Sequence, residues 1–166
     1  MRTNLIVTLT LFILLGCAQP QPAPMAPQEQ EAAKKELTEA VNAIIQSLEK
    51  MDAEALFESY SNSPDFILFA TDGSMADYQL AKSHNAGWFK SLSSLKVATV
   101  KEEFRFLPGN VVVCAWHATF DMTLKSGGEP KMDFAITFVF NKTENRWKVV
   151  YQHTSALPPA PEKSNN

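Results

Sequence analysis

The apolar positions of this chain change period once, and the change divides it into helices and strands. From residue 31 to about 50, Leu37, Val41, Ile44, Ile45 and Leu48 recur at helical spacing with Glu and Lys between them, which predicts an amphipathic helix. Asp52 stands where an N-cap belongs, ahead of Leu56, Phe57 and Tyr60, so a short second helix follows until Ser63-Pro64 ends it. Phe66 to Ala70 reads as a short strand turned by Asp72-Gly73, a dipeptide that tolerates the backbone of a tight turn. Asp77 then caps a third helix over 78–93, with Ala81, Asn85, Trp88, Phe89 and Leu92 along one side. Beyond it the period falls to two. Residues 96–107, 111–124, 132–140 and 146–155 alternate, separated by Pro108-Gly109-Asn110, the KSGGEPK segment and NKTEN. Three helices followed by a four-stranded antiparallel meander predict an α+β domain, its helices packed on one face of a curved sheet.

Alternation also sorts the strand residues by face. One face collects Cys114, Trp116, Ala118, Phe120 and Met122 from the second long strand, and Phe134, Ile136, Phe138 and Phe140 from the third. Carried through the other two strands, the same parity gathers Val100, Glu102, Phe104 and Phe106 in the first and Trp147, Val149, Tyr151 and His153 in the last. Glu102 and His153 are then the two ionisable groups on otherwise apolar faces. His153 either lines a pocket, hydrogen bonding or moving a proton there, or is a structural histidine at a strand end. Glu102 is either a buried base whose pKa desolvation raises, or lies past a β-bulge and faces water. Tyr60, Trp88, Trp116 and Tyr151 either line a cavity for an apolar or aromatic ligand or belong to the core. His84 falls one position off the apolar side of its helix and is expected at the solvent edge. His84, His117 and His153 sit on different elements without ligand spacing, so neither a metal nor another cofactor is expected. The opposite sheet face carries Val111, Val113, Ala115, Val139 and Val150, more apolar surface than a solvated face needs, and a homodimer is expected through it.

Composition and the chain ends add a location. At 166 residues and 45% hydrophobic, the chain holds one domain with a real core. A net charge of −3, with no basic stripe, speaks against nucleic-acid binding. Arg2 precedes an apolar run from Leu5 to Leu15 that is too short to span a bilayer comfortably, so residues 1–16 read as a secretory signal. The run ends Leu14-Leu15-Gly16-Cys17, which resembles a bacterial lipobox, although Leu15 stands where a small residue is commoner. That resemblance implies that Cys17 is lipidated and becomes the mature N-terminus, anchoring the protein in the cell envelope. Ala18 lacks the aspartate that retains some such proteins at the inner membrane, which implies the periplasmic face of the outer membrane in a source with two. Residues 17–30 form a Pro- and Gln-rich tether and 158–166 a disordered tail. Cys114 is the remaining cysteine; it reads as a small buried hydrophobe, and no intramolecular disulfide is available to it.

The order helix, helix, strand, helix, meander, closing on Trp147-x-Val149-x-Tyr151-x-His153-x-Ser155, together with the Tyr60 to Gly73 stretch, resembles the SnoaL-like branch of the nuclear transport factor 2-like superfamily. The resemblance covers residues 31–157 and implies a cone-shaped α+β barrel with a pocket at its open end. Relatives such as ketosteroid isomerase and polyketide cyclases use a carboxylate base. The matching position here falls at Phe69 or Ala70, so that mechanism is not carried over, and a role in nuclear transport does not fit behind a lipobox. Three functions remain: an envelope lipoprotein binding a small hydrophobic or aromatic ligand; an isomerase, cyclase or dehydratase using His153 with Glu102; or a protein-interaction module whose cone is filled.

Overall fold

A computed structural model describes residues 23–156 of the protein. The signal peptide expected over 1–16, Cys17 with the first part of the tether, and the tail at 158–166 lie outside the described residues. Helix α1 spans Pro27–Glu49, α2 Ala53–Glu58 and α3 Tyr78–Ser91. The strands are β1 (Ile67–Phe69), β2 (Met75–Ala76), β3 (Leu92–Leu107), β4 (Val111–Leu124), β5 (Lys131–Thr143) and β6 (Arg146–Ala156). They form one six-stranded sheet in the order β2-β1-β6-β5-β4-β3. All neighbours are antiparallel except β1 and β6.

Local chemistry sets these elements. Pro27 begins α1, where its missing N–H costs nothing. The carboxylates of Asp52 and Asp77 accept the backbone N–H groups of Ala55 and Leu80 at 3.0 and 2.8 Å, capping α2 and α3. The β5–β6 hairpin turns on Glu144 and Asn145, both at positive φ (50° and 60°), the backbone of a two-residue turn whose twist matches that of its strands.

Helix α1 lies in the concave face of the sheet. Its buried stripe, Leu37, Val41, Ile44 and Leu48, packs in one core with Val112, Cys114, Trp116 and Phe138. Trp116 and Phe138 stack with ring centroids 5.8 Å apart, and the Trp116 indole donates to Thr99 at 3.0 Å. Each such large side chain contributes roughly 1.5–3 kcal/mol through burial. Helix α1 runs against β3. Near its middle, Glu36 accepts from both Lys142 and Trp147; at its end, Glu49 accepts the N–H of Val97. A second cluster ties α2, α3 and β1 together. Phe57 stacks on Tyr60 at 4.8 Å, and Phe66 and Tyr78 meet this pair edge-on.

The simple alternation holds in β4 and β5 and is interrupted in β3 and β6. In β6, Phe140 pairs with Val149 but Val139 pairs with Tyr151, so Val150 is an extra residue in a β-bulge. Trp147 and Val149 point inward, as their parity predicts. Beyond the bulge the faces exchange. Phe138, on the core side, now pairs with Gln152, and Ile136 with Thr154, while Tyr151 and His153 pair with Val139 and Thr137 on the outer face. The inward orientation expected for Tyr151 and His153 is therefore corrected by one inserted residue. In β3, Ser93 and Val100 are skipped in the same way, and Glu102 points inward after the second bulge, paired with Trp116.

Gln152, turned inward by the bulge, accepts the hydroxyl of buried Tyr60 at 2.7 Å. Deleting Val150 would return Tyr151 and His153 to the inner face and leave that hydroxyl buried without its acceptor. The expected loss is about 2–4 kcal/mol, read from urea unfolding; a change below about 0.5 kcal/mol would show the bulge to be dispensable.

Candidate functional site

Helix α1 ends at Glu49, before the sheet does, and the space past its last turn is left partly unfilled. There the β1–β2 hairpin, α3 and the ends of β4, β5 and β6 surround a cavity of about 410 Å³. This is within the range of small-molecule sites. Its floor is made of buried side chains, among them Leu48, Leu68, Phe120, Met122 and Ile136. Trp88 forms part of the wall from α3, and Ala76 and Ala81 keep the interior open because their side chains end at Cβ.

Among the described residues, five polar side chains line the cavity besides the Trp88 indole. Thr71 and Ser74 come from the β1–β2 turn, His84 and Asn85 from α3, and Thr154 from β6. Thr71, Ser74 and His84 are solvent-exposed, which places this polar group at the rim. Among the described residues, no Lys, Arg, Asp or Glu lines the cavity. Asp72 stands between the lining residues Thr71 and Ser74, in the β1–β2 turn. The Ser74 hydroxyl and backbone N–H hold its carboxyl below the usual range, with a smaller contribution from the charge of His84.

The side chains singled out from the sequence are distributed differently. Trp88 lines the cavity. Tyr60 and Trp116 are buried in the core, at 6% and 1% exposure, and burial raises the Tyr60 pKa. Tyr151 and His153 sit on the outer face beside Phe69, their rings 6.2 and 6.1 Å from it; His153 is exposed. Glu102 is half-buried between sheet and α1, and its Oε1 has no hydrogen-bond partner among the described residues. Desolvation raises its pKa, opposed by the charge of Lys34. Glu102 and His153 thus lie on opposite faces of the sheet, and neither lines the cavity, so the structure does not bring them together as a catalytic pair. Cys114 is fully buried, its thiol pushed up to about 12 by desolvation and by the Glu102 carboxylate, which leaves it unreactive.

Thr71, Ser74, His84, Asn85 and Thr154 are the polar lining residues that sequence reasoning did not place in the site. Thr154 was hidden by the bulge at Val150. His84 was placed at the solvent edge, and the rim is where that edge meets the cavity; the signal was its position next to Asn85 on the apolar side of α3.

The architecture is shared with solved structures. A nuclear transport factor 2-like superfamily protein from Salmonella enterica superposes with a TM-score of 0.72 at 18% identity, over 82% of this chain and 99% of that one. A cystatin-like protein from Caulobacter vibrioides gives 0.66 at 14% identity, over 77% and 92%. A candidate dehydratase of the NTF2-like family from Streptomyces avermitilis gives 0.68 at 13%, over 76% and 97%. At these identities the likeness is one of fold. No curated protein matches the sequence. The family model described as the SnoaL-like domain matches residues 37–161, from within α1 to beyond the end of β6, and the chain belongs to that family.

Proposed function

We propose that this protein is an envelope-anchored binder of a small, mainly apolar ligand held in the cavity between α3 and the sheet. The observation that carries this reading is the cavity itself, about 410 Å³ with a buried apolar floor and Thr71, Ser74 and His84 exposed at its edge. Transfer of an apolar body onto that floor is the driving force, worth about 25 cal/mol per Å² removed from water. The same volume argues against a cone filled by its own side chains. N-phenyl-1-naphthylamine, a neutral fluorescent probe, should bind the Cys17→Ser chain produced without residues 1–16, with a Kd on the order of micromolar. Ala70→Phe, on the cavity wall, should weaken binding about tenfold or more while leaving the thermal transition within a few degrees. Equal binding by both chains would place the probe elsewhere.

Anchoring rests on the Leu14-Leu15-Gly16-Cys17 junction, followed by a segment rich in proline and glutamine. Two or more acyl chains at Cys17 hold a protein at a membrane where one does not. Labelled palmitate should enter the full chain expressed in a bacterium and be lost on Cys17→Ser; label retained in the variant would overturn the anchor.

The outer sheet face fits pairing with a second copy. Val113, Val139, Phe69 and Tyr151 lie half-buried on it, and Ile67 is 37% exposed. In a depression bordered by Lys101, Glu103 and Thr137, Nε2 of His117 is buried with no partner among the described residues, an atom that a covering surface would satisfy. Light scattering on the Cys17→Ser chain at micromolar concentration should give twice the monomer mass; monomer alone would rule the pairing out.

A further inference from the structure

The rim of the cavity has a defined supply of hydrogen-bonding atoms. One N–H of the Asn85 side-chain amide donates to the carbonyl of Ala81 at 2.9 Å, so the capacity it retains is its carbonyl oxygen, an acceptor, and its second N–H, a donor. Thr154 Oγ1 accepts from Gln152 at 2.8 Å, which leaves its own hydroxyl proton to donate. The Ser74 hydroxyl is engaged by the Asp72 carboxylate. His84 presents an imidazole, one donor and one acceptor when neutral. A ligand group placed here meets acceptors and donors from Asn85 and Thr71 and donors from Thr154 and His84. A hydroxyl answers both kinds at once. An ether or ketone answers only the donors, and a hydrocarbon neither.

Charge narrows the choice further. Among the described residues no lysine or arginine lines the cavity, and the ionised Asp72 lies within electrostatic reach of His84 at its edge. An anionic head group would enter a site without a fixed cation and next to a carboxylate, and the cost of desolvating it would go uncompensated. Below the rim, the floor of Leu48, Leu68, Phe120, Met122 and Ile136, with Trp88 at the side, accepts a flat or compact hydrocarbon body.

We infer that the ligand is a neutral, ring-containing molecule whose single hydroxyl group is held at the rim by His84, Asn85 and Thr154, with its apolar body on the floor. His84 and Asn85 are then the specificity-determining residues of the site. The inference rests on the cavity-binding reading and deepens it, and four probes of one shape separate the two: naphthalene, 2-methoxynaphthalene, 2-naphthol and 2-naphthoate. Titrated into the Cys17→Ser chain, with heat or intrinsic tryptophan fluorescence as the readout, 2-naphthol should bind about tenfold tighter than naphthalene, as two net hydrogen bonds allow. The methoxy compound should fall between them and the carboxylate should bind weakest. In the double variant His84→Ala with Asn85→Ala, the preference for naphthol over naphthalene should fall to within about twofold. His84 is exposed and Asn85 half-buried, and an unchanged thermal transition would show that the variant is folded. Equal binding of naphthol and naphthalene by the unaltered chain, a preference that survives the double substitution, or tightest binding of the carboxylate would each overturn the hydroxyl assignment with the cavity reading intact. Binding of none of the four would overturn the cavity reading, and this inference with it.

Discussion

The burial of one stripe of α1 in the concave face of the sheet is the contact on which the other features depend. Leu37, Val41, Ile44 and Leu48 are almost fully enclosed, and they are enclosed because β4 and β5 present unbroken inward rows. That pairing settles which sheet face is the inner one, and the sheet bends around the helix accordingly. It also settles where the core stops. Helix α1 ends at Glu49, Met51 takes a positive φ of 54°, and the chain leaves for α2 before the sheet is covered to its end. The cavity is the space the helix does not reach.

The elements themselves were legible in the sequence because their signals are local. The carboxylate caps at Asp52 and Asp77, the Asp72-Gly73 turn and the alternation of β4 all act within a few residues, and each appears where its chemistry places it. The parallel pairing of β1 with β6 depends on residues about 84 positions apart, as in Ile67 with Tyr151, and no local pattern announces it. The two-residue strand β2 is too short to have a period.

The bulges escaped for a different reason. A bulge adds one residue without calling for a particular residue type, and two adjacent valines, Val149 and Val150, are equally at home in a regular strand and in an irregular one. What decides is the partner. Tyr60 needs an acceptor for its buried hydroxyl, and Gln152 supplies it only if β6 has already exchanged faces. A row read as Trp147, Val149, Tyr151, His153 is therefore two half-rows, and the histidine that closed it belongs to the exterior. The candidate site was legible in part. Trp88 and Asn85 lie on the side of α3 that the helical period marks, whereas His84, one step of about 100° around the same helix, becomes a rim residue only because the β1–β2 turn comes up beside it.

The direction of α1 has a consequence for attachment. Its 23 residues make a rod roughly 34 Å long. The polypeptide enters the domain at one end of that rod, and Leu48, part of the cavity floor, lies in the last turn at the other. Anything that holds the protein by the residues preceding α1 therefore holds it about one helix length from the floor of the cavity.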